Sequence, residues 1–154
     1  MRGNGTFASD GEAASSNQRP ADRTVAATAD AGTRITFATR QRQLDERTRV
    51  LGVEGELDLA SAPNLKWALA DALSGGTNRL VVDLAAVRFI DSTALGVLVG
   101  VHRGLDAGAR MAIVCTHPDV LNIFELTGLD ATFDIFRNLD DALAHVRGSA
   151  DTAG

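Results

Sequence analysis

Leu80-Val81-Val82-Asp83-Leu84, a short link, and then Phe89-Ile90-Asp91-Ser92-Thr93-Ala94-Leu95-Gly96 decide how this chain is read. The first run is apolar enough for a central strand buried on both faces. The second leaves an apolar pair through Asp-Ser-Thr and enters a stretch with Leu95, Leu98, Val99, His102 and Leu105 on one helical face. A small hydroxyl, Ser92, therefore falls at a helix start. Unpaired backbone N–H groups and the helix dipole favour an anion there, a phosphate included. Asp, Ser and Thr are also ordinary capping residues. With Ser92 as cap, the box is incomplete, because Leu95 occupies the place of the usual Glu or Gln.

Outward from this stretch the chain alternates strands and helices. Arg34 to Thr39 alternates like a half-buried strand, and Arg47 to Glu54 forms a second one across the polar link Arg40 to Glu46. Gly55-Glu56-Leu57-Asp58 turns the chain away. Ser61 is placed to cap a helix with Pro63 in its first turn, Leu65, Leu69 and Leu73 on its apolar stripe, and Gly75-Gly76 at its end. A strand over Arg79 to Leu84 and the helix after Ser92 follow. Arg110 to Cys115 is a further buried strand. A helix after Pro118 runs to Leu126 with Gly128 as its stop, Phe133 to Phe136 is an edge strand, and Leu139 to Val146 is the closing helix. The order is β-β-α-β-α-β-α-β-α. It predicts an α/β fold with one mixed sheet, parallel central strands and about four helices. Residues 1–33 are small and polar without apolar periodicity and are expected to be a disordered tail. The domain is expected over 34–147, with 148–154 a frayed end.

Composition narrows the function. The chain has 154 residues, 45% of them hydrophobic, which suits one domain with a proper core. Its net charge is −5, Lys66 is its only lysine, it lacks Tyr and has one Trp, so neither a basic nucleic-acid surface nor a stacking platform is indicated. No apolar run approaches the ~20 residues of a membrane span, and Met1 to Thr6 lacks the apolar centre of a signal peptide. A cytoplasmic location is the expectation. Cys115 is the only cysteine and reads as a small buried thiol. Cys115 with His117, and His102 and His145 in helices, do not make a metal-ligand set, so no metal or cofactor is expected.

Three stretches together resemble one family. Gly55-Glu56-Leu57-Asp58, the run from Val82-Asp83-Leu84 to Phe89-Ile90-Asp91-Ser92-Thr93-Ala94-Leu95-Gly96, and Phe124-Glu125-Leu126-Thr127-Gly128-Leu129 resemble, in order and spacing, motifs of the STAS domain. The resemblance is to the stand-alone bacterial anti-sigma factor antagonists and covers about residues 34–147. It implies that Ser92 is the phospho-acceptor. It implies an unmodified form that binds an anti-sigma factor, itself the serine kinase that brings Mg-ATP. Binding would release a sigma factor, phosphorylation would end binding, and a serine phosphatase would reset the switch. Ala94 stands where the family often has glycine. Arg88, four residues before Ser92, is larger than usual there and reads as an exposed loop arginine or a phosphate partner.

Thr93 is the competing acceptor, since both hydroxyls lie at the helix start. Glu56, Asp58 and Asp91 are expected at one end of the sheet. They are either turn-solvating and capping acids or, with Thr93, a docking rim for a cationic partner. An enzyme is the second class weighed. His102 lies ten residues along the helix from Ser92, about 15 Å away, and no G-x-S-x-G elbow or P-loop is present, so no catalytic residue is assigned. A STAS module for sensing or scaffolding outside a sigma pathway is the third class.

Overall fold

The computed structural model describes residues 22–28 and 35–148. Its elements are β1 (Asp22–Thr28), β2 (Ile35–Gln43), β3 (Thr48–Leu57), α1 (Ala62–Ala72), β4 (Arg79–Ile90), α2 (Ser92–Arg103), β5 (Arg110–Val114), α3 (Pro118–Leu126), a 3-10 turn (Leu129–Ala131), β6 (Asp134–Phe136) and α4 (Leu139–Val146). The six strands lie in chain order in one sheet. β1–β2 and β2–β3 are antiparallel, and β3 to β6 run parallel. The mixed sheet with parallel central strands and four helices is as expected, with one strand more at its edge. β1 lies inside the segment 1–33 that composition assigned to a tail; its pairing with β2 comes from backbone hydrogen bonding, which carries no hydrophobic signature. The remainder of the tail and residues 149–154 lie outside the described residues.

Because β3, β4, β5 and β6 succeed one another in a single direction, crossovers of one hand put all three connecting helices on the same face. Leu65 and Leu69 of α1, Leu95 and Leu98 of α2, and Val120 and Phe124 of α3 accordingly share one core with Leu51, Leu57, Leu80, Val82 and Ile113. α4 closes the opposite face, where Ala142 and Val146 meet Val50, Val81, Ala112 and Val114.

β4 is longer than the expected strand, which ended at Leu84. Its residues Asp83 to Ala86 oppose only Gly52 to Glu54, and Val87 to Phe89 oppose only Gly55 and Glu56. Each is a bulge with one extra residue on β4. Inward side chains then step from Leu80, Val82 and Leu84 to Val87 and Ile90, so the same face stays buried across a broken alternation. Arg88 is the extra residue of the second bulge. It is exposed and belongs to a strand rather than a loop. Opposite it, Gly55 has φ 102°, a region that side-chain-bearing residues rarely enter. That explains the glycine ahead of Glu56-Leu57-Asp58. Gly128 does the same for the end of α3, with φ 75°.

Candidate functional site

The site lies where β3 and β4 end side by side. Leu57 is in register with Ile90, and the N–H of Asp91 donates to the carbonyl of Leu57 at 2.9 Å. Both chains then turn into helices. The starts of α1 and α2 are thereby brought together, although Ser61 and Ser92 are 31 positions apart in the chain.

Asp91 joins the two starts. Its Oδ1 accepts from the N–H groups of Thr93 at 2.9 Å and Ala94 at 3.1 Å, which makes Asp91 the cap of α2. Its Oδ2 accepts from the N–H of Leu59 in the neighbouring turn at 3.1 Å. The cap is thus not Ser92, as the incomplete box supposed, but the residue before it. Ser92 and Thr93 are the first two residues of α2, and both are exposed. Neither hydroxyl serves as the cap, and both are open to an incoming group. Of the helix N–H groups that sequence offered to a phosphate, those of Thr93 and Ala94 are already bonded to the Asp91 carboxylate.

At the start of α1 the roles differ again from expectation. Ser61 makes no side-chain cap to α1. Its Oγ accepts from the N–H of Asp58 at 3.0 Å and donates to the carbonyl of Glu56 at 2.9 Å, while Asp58 Oδ1 accepts from the N–H of Ser61 at 3.0 Å. Asp58 and Ser61 therefore close a reciprocal box of the kind that begins helices. The carbonyl of Asp58 already accepts from Ala62 N–H at 2.8 Å, so the helical turn starts three residues earlier than Ser61 suggests. Buried Ser61 is a structural residue.

Glu56, Asp58 and Asp91 do lie at one end of the sheet, with Glu56 opposite Phe89 in register. Their availability differs. Glu56 is exposed, Asp58 is half-buried with one oxygen committed to Ser61, and Asp91 is half-buried with both oxygens bonded to backbone N–H groups. Of the histidines, His102 packs its ring edge against Phe133 with centroids 5.1 Å apart, at the far end of α2 from Ser92. His117 caps α3 by accepting from Asp119 N–H at 3.2 Å, and His145 is bound to Asp134 at 2.9 Å. Each is held by its own neighbours rather than by Ser92. Cys115 is buried, and burial pushes its thiol pKa up, which disfavours the reactive thiolate. The sequence missed the tie from Asp91 to Leu59, because nothing in either residue type announces a contact across 32 positions.

A family model of the STAS domain matches residues 39–142. The chain belongs to the STAS domain family. Among its relatives is the anti-sigma-F factor antagonist RsfB of Mycobacterium tuberculosis, 34% identical over 99 residues, covering 64% of this chain and 81% of the relative. The anti-sigma-B factor antagonist of Staphylococcus aureus is 35% identical over 78 residues, 50% of this chain and 72% of that one. A crystal structure of an anti-sigma factor antagonist from Mycobacterium paratuberculosis matches with a TM-score of 0.68 at 34% identity, covering 72% of this chain and 94% of that one. The anti-sigma factor antagonist SpoIIAA in its unphosphorylated form matches with a TM-score of 0.61 at 23% identity, over 71% of this chain and 96% of that one, a likeness of fold. The matched stretch begins within β2 and does not include β1.

Proposed function

We propose that this STAS protein is an anti-sigma factor antagonist whose binding is switched off by phosphorylation of Ser92. The observation that carries this is the exposed hydroxyl of Ser92 at the start of α2, directly after a carboxylate whose oxygens are already used. The names borne by its relatives support the partner class. In the unmodified state the rim of Glu56, Asp58, Ser92 and Thr93 faces the anti-sigma factor, and the bound anti-sigma factor no longer holds its sigma factor.

The anti-sigma factor doubles as the serine kinase and brings Mg-ATP; this chain supplies only the acceptor. Oγ of Ser92 forms the bond to the γ-phosphorus, the bond to the ADP oxygen breaks, and the serine proton passes to a base of the kinase. The product adds a charge of about −1.5 to −2 at neutral pH. Its neighbour is the Asp91 carboxylate, and the N–H groups of Thr93 and Ala94 are not free to neutralise it. On binding, this charge would be desolvated among like charges, which opposes association while the domain keeps its core. A separate serine phosphatase restores the hydroxyl. The protein has no catalytic residue or cofactor of its own in this scheme, and it acts in the cytoplasm, beside the sigma factors.

Incubation with the anti-sigma factor and Mg-ATP, followed by peptide mass mapping, tests the acceptor. Phosphate on Ser92 is expected. Phosphate on Thr93 with Ser92 unmodified overturns the assignment.

A further inference from the structure

Among the described residues, four large apolar side chains are exposed: Leu59 at 72%, Trp67 at 77%, Phe89 at 49% and Leu126 at 74%. Single exposed apolar residues are ordinary on a protein surface. Trp67 in mid-α1 and Leu126 at the end of α3 fit that description. Leu59 and Phe89 do not, because both are tied to the acceptor end of the sheet. Phe89 is the penultimate residue of β4, three before Ser92, and stands in register with exposed Glu56. Leu59 follows Asp58, and its backbone is bonded to the carboxylate of Asp91, the residue next to Ser92.

An apolar residue in a polar turn would ordinarily lose little by folding back. Here the Asp91 carboxylate that caps α2 also pins Leu59 N–H, and the Asp58–Ser61 box fixes the turn on its other side. The backbone that carries this exposed side chain is thereby fixed at the rim. Pre-set apolar groups lose less freedom on association, and their burial is favourable.

We infer that Leu59 and Phe89 are the apolar anchors by which the anti-sigma factor recognises this chain, an inference that rests on the function proposed above. Charge chooses the occupant. Glu56 stands in register with Phe89, Asp58 precedes Leu59, and Asp91 accepts from Leu59 N–H, against one neighbouring cation on β4, Arg88, so this end of the sheet is acidic. The matching surface is a protein face with apolar sockets edged by Arg or Lys. Asp91 is a positioning residue in this arrangement. It sets where Leu59 stands relative to Ser92, so one docking geometry serves both binding and phosphoryl transfer.

The test is titration calorimetry of the full unphosphorylated chain against the purified anti-sigma factors of the source bacterium, taken one by one. Leu59→Ser and Phe89→Ser are each expected to lower affinity about tenfold or more. Leu126→Ser, which removes an equally exposed apolar side chain from a different part of the surface, should stay within about twofold. Thermal melts should be close to wild type for all three. Wild type that binds while both rim variants bind equally well overturns the anchors alone, and so does an equal loss in Leu126→Ser. Wild type that binds none of the anti-sigma factors overturns the proposed function and the anchors with it.

Discussion

Two helix starts in this molecule are built from the same residue types and do opposite things. α1 begins at Asp58-Leu59-Ala60-Ser61 and α2 at Asp91-Ser92-Thr93, and the sheet sets them side by side. Ser61 is 5% exposed, with its hydroxyl bonded to Asp58 N–H and the Glu56 carbonyl. Ser92 is exposed, and the cap it might have made is made by Asp91. One serine is consumed in holding a turn; the other stays exposed because an aspartate caps the helix in its place. Serine next to aspartate at a helix start is therefore not enough to mark a modifiable site. What leaves a serine accessible is a neighbour that satisfies the backbone in its place.

That contrast can be broken by substitution. The largest loss of stability is expected for Asp91→Ala, which leaves the N–H groups of Thr93, Ala94 and Leu59 without their acceptor. A loss of about 2–3 kcal/mol in denaturant unfolding is anticipated, more than a single cap is worth, because two helix starts loosen together. Ser61→Ala follows, at about 1–2 kcal/mol, since it leaves the part-buried N–H of Asp58 and the carbonyl of Glu56 without their hydroxyl partner. Ser92→Ala should lie within about 0.5 kcal/mol of wild type, as exposed positions usually do. If Ser92→Ala proved as costly as Ser61→Ala, the division of labour between the two serines would be wrong.

The smallest effect lies away from both starts. Asp45 in the β2–β3 turn accepts from Arg47 N–H at 2.9 Å and from Arg147 at 3.0 Å. The Arg47 hydrogen bond, with help from Thr48 and Arg147 and against partial desolvation, lowers its pKa below the ordinary carboxylate value. A depressed folded pKa gives stability that is present above the unfolded value of about 3.9 and is lost as pH falls through the lower folded value. Asp45→Asn should therefore flatten the acid limb of the melting-temperature profile slightly and change nothing near neutrality beyond the weak exposed ion pair.

Much of this was legible in the residues. Apolar period, with glycine stops for α1 to α3, placed the four helices, and the run before Ser92 placed the central strand. The end of that strand was not legible, because bulges at Leu84–Ala85 and Arg88 break the alternation on which strand patterns depend. β1 was invisible for a related reason, since edge pairing is a backbone matter and Asp22–Thr28 has no apolar stripe. At the site, the gathering of Glu56, Asp58 and Asp91 at one end of the sheet was readable from their positions. Which hydroxyl is buried and which carboxylate oxygen reaches Leu59 depend on strand register, and register follows from the whole sheet.

The central claim is that a charge at Ser92, and not a change of fold, ends partner binding. Titration calorimetry of the anti-sigma factor against Ser92→Ala and Ser92→Glu, with circular dichroism on both, tests it most directly. The account predicts wild-type-like affinity for Ser92→Ala and a loss of about a hundredfold or more for Ser92→Glu, with native spectra for the two. Equal affinity for both variants, or a collapsed spectrum for Ser92→Glu, would contradict it.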